Sequence, residues 1–208
     1  MMHILGLTGL TGSGKSTVAK YLFSKKALIF DLDKVAHELY KSGTETFYKI
    51  VNYFGEDILD LNSEIDRKKL SFEVFNSKSK SKEKDSFQLN KLESIIWPEI
   101  DKIIAKTIHD NSDKELIVID GALLIQAGFD KYCDQIWVLE SQLKHIKTRL
   151  SKLNKIDYLE EKIRRNDFSH IKKFKYQVIK NNLTKQDLYN NVESLFEVIR
   201  KDSHENEI

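Results

Sequence analysis

The stretch Ile4-Leu5-Gly6-Leu7-Thr8-Gly9-Leu10-Thr11-Gly12-Ser13-Gly14-Lys15-Ser16 reads as a strand, a loop and the opening of a helix. Ile4 to Leu7 is apolar and bounded by glycine, the pattern of a strand buried in a parallel sheet. From Lys15 to Phe23 the apolar positions Val18, Ala19, Leu22 and Phe23 recur at helical spacing. Between them, Gly9 to Ser16 fits G-x-x-x-x-G-K-[ST], the phosphate-binding P-loop, with both of the flanks that motif requires. Glycines allow a backbone whose N–H groups converge on phosphate, and the helix N-terminus adds partial positive charge. Leu10, Thr11, Gly12, Ser13, Gly14, Lys15, Ser16 and Thr17 are therefore the expected nucleotide-binding set. In such a loop the lysine, Lys15, reaches the β- and γ-phosphates of ATP, and the Ser16 hydroxyl ligates Mg²⁺.

Working outward, Ala27 to Phe30 reads as a second buried strand, with Asp31 and Asp33 at its carboxyl end, where open α/β sheets place their ligands. An aspartate facing a γ-phosphate can take a proton from an acceptor hydroxyl, so Asp33 is the candidate base; an N-cap for a helix starting at Lys34 is the structural alternative. Asp31 is placed to orient it or a metal-bound water. Leu116 to Ile119 reads as a third strand, and Asp120 at its end has the position of an aspartate that holds Mg²⁺ through water; a strand-terminal turn with Gly121 is the structural alternative. Ile136 to Leu139 and the shorter Val178-Ile179 complete five strands separated by helices. Roughly eighty residues with helical patterning lie between strands two and three, more than a compact crossover needs, which marks an inserted helical subdomain. Pro98 is expected to start or kink a helix there. The serine–lysine alternation from Ser77 to Lys82 reads as a solvated connection.

Lys144 to Lys180 holds twelve Lys and Arg against four Asp and Glu. The whole chain is nearly balanced, 34 basic against 32 acidic side chains over 208 residues, so it is no polycation built for nucleic acid. With 40% hydrophobic and 32% charged residues, a single soluble globular unit is expected. No run approaches the roughly 18–20 apolar residues of a membrane span, and the N-terminus enters a strand without a signal-peptide pattern, so a cytoplasmic location is expected. The lone cysteine, Cys133, reads as a small buried residue in a reducing compartment.

These residues resemble the dephospho-CoA kinase family over nearly the whole chain. The resemblance runs from Gly6-Leu7-Thr8-Gly9 through Asp31-Leu32-Asp33-Lys34-Val35-Ala36-His37, Phe54-Gly55 and Asp66-Arg67-Lys68-Lys69-Leu70 to Asp120-Gly121-Ala122-Leu123-Leu124 and Val178-Ile179-Lys180-Asn181. It implies a P-loop kinase core (about 1–40, 114–142 and 176–208), a helical substrate subdomain (about 41–113) and a lid (about 143–175). It also implies that Asp33 activates the ribose 3′-hydroxyl of dephospho-CoA, that Asp31, His37, Arg67 and Leu123 lie on the substrate side, and that Asn181 lies in the loop approaching adenine. His37 follows Asp33 by four residues on one helix face and has no second histidine at ligand spacing, which favours substrate or acid contact over metal. Arg149, Arg164 and Arg165 are the candidate lid arginines. The chain departs from the family pattern at Trp97, Ala122, Gln126 and Lys162.

The expectation is therefore an α/β P-loop kinase with a five-stranded parallel sheet and an inserted helical substrate domain, using ATP and Mg²⁺ and acting as a monomer on dephospho-CoA without nucleic-acid or membrane partners. Another P-loop small-molecule kinase is the nearest alternative. A nucleotide-gated RNA-binding protein is a more distant one, which lacks any aromatic stacking surface in this sequence.

Overall fold

The computed structural model describes residues 2–75, 82–152 and 176–205. The apolar run at the N-terminus extends to a strand, β1 (His3–Gly9), and the loop after it delivers the chain into helix α1 (Lys15–Ser24). Four more strands follow: β2 (Leu28–Asp31), β3 (Leu116–Asp120), β4 (Gln135–Glu140) and β5 (Tyr176–Lys180). All pair in parallel, in the order β2-β3-β1-β4-β5. The expected five-stranded parallel sheet is present, and β5 is longer than the two residues that the sequence pattern picks out.

Alternation along β1 sends its side chains to two faces. Leu5 and Leu7 join Val18 and Leu22 of α1, and Val192, Phe196 and Ile199 of helix α7 (Lys185–Glu205), in one buried cluster. On the opposite face Gly6 lies so close to Cys133, Ile136 and Leu124 that a Cβ there would sit 2.9 Å from the cysteine sulfur. Cys133 is buried, as the sequence suggests. Phe23, grouped by its spacing with the buried side of α1, is instead 69% exposed; helical periodicity alone does not tell the edge of an apolar stripe from its centre.

The strand order locates the ligand edge. From β1 the chain crosses to β2 on one side of the sheet, and from β3 it crosses past β1 to β4 on the other. β1 and β3 are therefore adjacent strands whose continuations leave in opposite directions, which opens the crevice where such sheets bind ligands.

The chain divides into two compact units, Met1–Asp31 with Ile108–Ile208, and Leu32–Thr107. The second unit contains helix α2 (Leu32–Leu39), α3 (Glu45–Phe54), α4 (Arg67–Phe75) and most of α5 (Lys82–Asp110). Thr44 caps α3 by accepting from the Phe47 amide at 3.0 Å, and Asp66 caps α4 by accepting from the Lys68 amide at 2.8 Å. α2 begins at Leu32, so Asp33 is a first-turn residue and not the N-cap of a helix starting at Lys34; a carboxylate there is favoured by the helix dipole. Pro98 starts no helix: α5 runs through it. Among the described residues no helix is long and apolar enough to cross a membrane.

Candidate active site

Two loop glycines explain why the phosphate loop needs this sequence. Gly9 has φ 135° and Gly14 φ 114°, both in the region that favours glycine. A Cβ at Gly9 would run into the Leu139 carbonyl of β4, and one at Gly14 into the Asn181 side chain. Gly14 also stands at the N-cap of α1, so the first amides of that helix open directly from the loop. Lys15 folds back over the loop, its ammonium donating to the Gly9 carbonyl at 2.7 Å and to the Leu10 carbonyl at 3.3 Å. Ser16 is exposed at the second position of α1.

Asp120 ends β3 directly beside the loop. In the sheet register it is level with Leu7 of β1 on one side and Asp31 of β2 on the other. The Gly121 amide donates to the Leu7 carbonyl at 3.0 Å, and the Thr8 hydroxyl donates to the Ala122 carbonyl at 3.4 Å. Two carboxylates and the phosphate loop thus share the carboxyl edge of three neighbouring strands.

The loop is braced from the other side by α6 (Leu143–Lys152), at the start of the basic segment. Ile146 and Leu150, both buried, pack with Leu10. Leu150 comes within 3.2 Å of where a Gly12 Cβ would be. On the same face of the helix, the Arg149 guanidinium donates at 3.0 Å to the Gly12 carbonyl, at 3.1 Å to the Ser141 hydroxyl and at 3.1 Å to the Asn181 carbonyl. Asn181 follows β5; its amide nitrogen Nδ2 donates to the Ser13 carbonyl at 2.7 Å. Arg149, expected in the lid, is therefore a contact of the loop itself. Arg164, Arg165 and Lys162 lie outside the described residues.

In the second unit, α2 carries Asp33 and His37 one turn apart, both exposed. The Arg67 guanidinium of α4 meets His37 Nδ1 at 3.2 Å. Guanidinium has only donors, so Nδ1 is the acceptor and the ring proton sits on Nε2. Tyr40, at the end of the same stretch, interacts electrostatically with Arg67, Asp33 and Glu93. Burial pushes its phenol up to about 12, Arg67 opposes the shift, and Asp33 and Glu93 add to it.

A family model described as dephospho-CoA kinase matches residues 3–187. The chain belongs to the dephospho-CoA kinase family. A dephospho-CoA kinase of Fusobacterium nucleatum subsp. nucleatum is 39% identical over 201 residues, which cover 94% of this chain and 98% of that one. Among solved structures, a protein from Thermus thermophilus superposes with a TM-score of 0.69 at 21% identity, covering 94% of this chain and 97% of that one. The dephospho-CoA kinase from Campylobacter jejuni does so with a TM-score of 0.60 at 24% identity, covering 99% and 100%. These two likenesses concern the fold.

For this dephospho-CoA kinase family member, the structure groups the expected residues into two sets. Lys15, Ser16, Asp31, Asp120, Arg149 and Asn181 belong to the sheet unit, and Asp33, His37 and Arg67 to the helical unit. Leu123 follows β3 in the turn after Asp120. The departure at Ala122 leaves its backbone carbonyl as the acceptor for Thr8. Three residues escaped the sequence reading. Tyr40 lies seven positions beyond Asp33, just past the end of α2, and two helical turns of spacing are the signal that points to it. Ser141 and Asn182 carry no such signal, because they matter through strand ends that only the folded sheet juxtaposes: the Ser141 hydroxyl donates to the Asn181 carbonyl at 2.7 Å, and Asn182 Oδ1 accepts from the Gln142 amide at 2.8 Å.

Proposed function

We propose that this chain transfers the γ-phosphoryl group of ATP to the ribose 3′-hydroxyl of dephospho-CoA, giving CoA and ADP. The observation that carries the reading is the phosphate loop opening α1 at the crevice between β1 and β3, with Asp120 level with Leu7 beside it. Family membership supplies the acceptor.

In this reading the loop amides and the Lys15 ammonium hold the β- and γ-phosphates, with Lys15 exchanging its carbonyl contacts for phosphate oxygens. Asp33 accepts the proton of the 3′-hydroxyl as that oxygen bonds to the γ-phosphorus and the bond to the β-phosphate oxygen breaks. Asp31 and His37 orient the acceptor side, and Arg67, through His37 Nδ1, keeps the His37 Nε2–H pointed outward as a donor. Mg²⁺ suits the donors available, since a hydroxyl at Ser16 and a carboxylate at Asp120 are the hard oxygen ligands it takes alongside phosphate. When bound it supplies charge neutralisation on the phosphate oxygens. A reduced, buried Cys133 fits work in the cytoplasm.

The test is ADP release from ATP with and without dephospho-CoA, with the product's phosphate position read by NMR. ADP release that depends on dephospho-CoA and yields a 3′-phosphate supports the reading. Faster turnover on a nucleoside, nucleotide or sugar than on dephospho-CoA sinks it.

A further inference from the structure

Asn181 is only 7% exposed, and its backbone N–H, its backbone carbonyl and its side-chain nitrogen are all hydrogen-bonded at the edge of the candidate nucleotide site. Its backbone amide donates to the Glu140 carbonyl at 2.7 Å, continuing the β4–β5 ladder by one residue. Its backbone carbonyl accepts from the Ser141 hydroxyl at 2.7 Å and from Arg149 Nη2 at 3.1 Å. With the main chain held on both sides, the side chain has one direction to go, and Nδ2 donates to the Ser13 carbonyl at 2.7 Å. The acceptor is a carbonyl, so the contacting atom is the amide nitrogen.

That bond fixes a peptide plane. In a trans peptide the C=O and the following N–H point in opposite directions. Holding the Ser13 carbonyl toward β5 therefore turns the Gly14 N–H away from β5, at the point where the loop becomes the N-terminus of α1. The preceding plane is held as well: Arg149 binds the Gly12 carbonyl at 3.0 Å, and the Ser13 N–H donates to the Leu10 carbonyl at 3.0 Å. Two successive planes of the loop are set by side chains from the residue after β5 and from α6. No room is left for drift at Gly14, since even a Cβ would collide with Asn181.

The geometry points to Asn181 as a positioning residue of the phosphate loop, acting through the Ser13 carbonyl to aim the Gly14 amide at the nucleotide's phosphates, with Arg149 doing the same for the plane before it. This rests on the kinase reading above, and it gives Asn181 a part other than the approach to adenine that the family resemblance implies. The Asn181 side chain serves the phosphates, whatever base they carry.

The experiment separates phosphate from base. Inorganic tripolyphosphate and adenosine are each measured as competitors of ATP on the full-length wild-type protein and on Asn181→Ala, with the fold of each checked by circular dichroism. Loss of the bond should weaken tripolyphosphate roughly 5- to 100-fold, the usual consequence of losing one buried hydrogen bond, and leave adenosine within about twofold. Arg149→Lys keeps the charge but loses the fork that spans three acceptors, and should show the same pattern; it carries the test if Asn181→Ala does not fold. Weakened adenosine with unchanged tripolyphosphate would identify a base contact and overturn the inference. Equal weakening of both, or no change in either, overturns it too, the first as a general loosening of the fold and the second as an idle bond. If tripolyphosphate fails to compete on the wild type, the phosphate-loop reading falls and takes this one with it.

Discussion

Lys15 donates to two loop carbonyls, and in the kinase reading it gives these up for phosphate oxygens. Lys15→Ala should abolish phosphoryl transfer with circular dichroism and thermal midpoint close to wild type. Near-normal turnover in the folded variant would refute the phosphate-loop assignment. Asp33 is exposed in the first turn of α2, where Asn substitutes without steric change. Asp33→Asn should leave ATP affinity intact and lower kcat by roughly 10²–10⁴, the usual worth of a positioned base. A collapse of ATP affinity with kcat unchanged would make Asp33 a binding residue instead. Tyr40 gives the pH prediction. Its folded pKa, near 12, lies above the ordinary 10 because burial disfavours the phenolate. The folded state therefore holds a proton that the unfolded chain releases, and stability that is intact below pH 10 is lost as pH rises from 10 toward 12. Ultraviolet titration should show Tyr40 ionising above the ordinary tyrosine range, and Tyr40→Phe should remove that late phase and flatten the alkaline loss of stability.

At the scale of elements, α6 behaves as part of the phosphate loop's support. Ile146, Arg149 and Leu150 share one face, and that face meets Leu10, Gly12 and Ser13. Leu150→Ala should cost about 2–5 kcal/mol, the range for emptying a buried leucine site, and should also raise KM for ATP because the cavity lies under Gly12. Denaturant unfolding and steady-state kinetics on the same variant check both halves; a stability loss with unaltered KM would mean that the helix and loop are not coupled. Much of this was legible in the sequence. Glycine-bounded apolar runs marked the strands, the lysine-serine pair after Gly14 marked the helix start, and Asp31, Asp33 and Asp120 fell at strand ends because acids rarely occupy the interior of a parallel sheet. What was hidden depends on pairing between distant segments. Nothing in the local pattern around Arg149 or Asn181 tells that both reach the loop near residue 13, because strand order is not written in any one window. The start of α2 was misjudged by two residues for a related reason: Leu32 is buried in the fold, and that burial extends the helix back to it.

For the molecule as a whole, the sheet order β2-β3-β1-β4-β5 ties the first strand to segments far along the chain. Asn181 and Ser13 are 168 positions apart. ATP, by binding the loop, should therefore stabilise the far end of the sheet through linkage. Amide exchange at Tyr176–Lys180 and Asn181 should slow along with that of the loop when ATP is added, and slowing confined to residues 9–17 would show that the two do not act as one. The same bond bears on how the protein is made. Synthesis delivers Ser13 168 positions before Asn181, and chains fold from the N-terminal side as they emerge. A nascent chain that has completed the loop but not β5 has the motif without its brace. In the kinase reading, the full grip on phosphate thus waits for β5, and a nascent chain that has made only the loop should hold ATP more weakly than the finished fold.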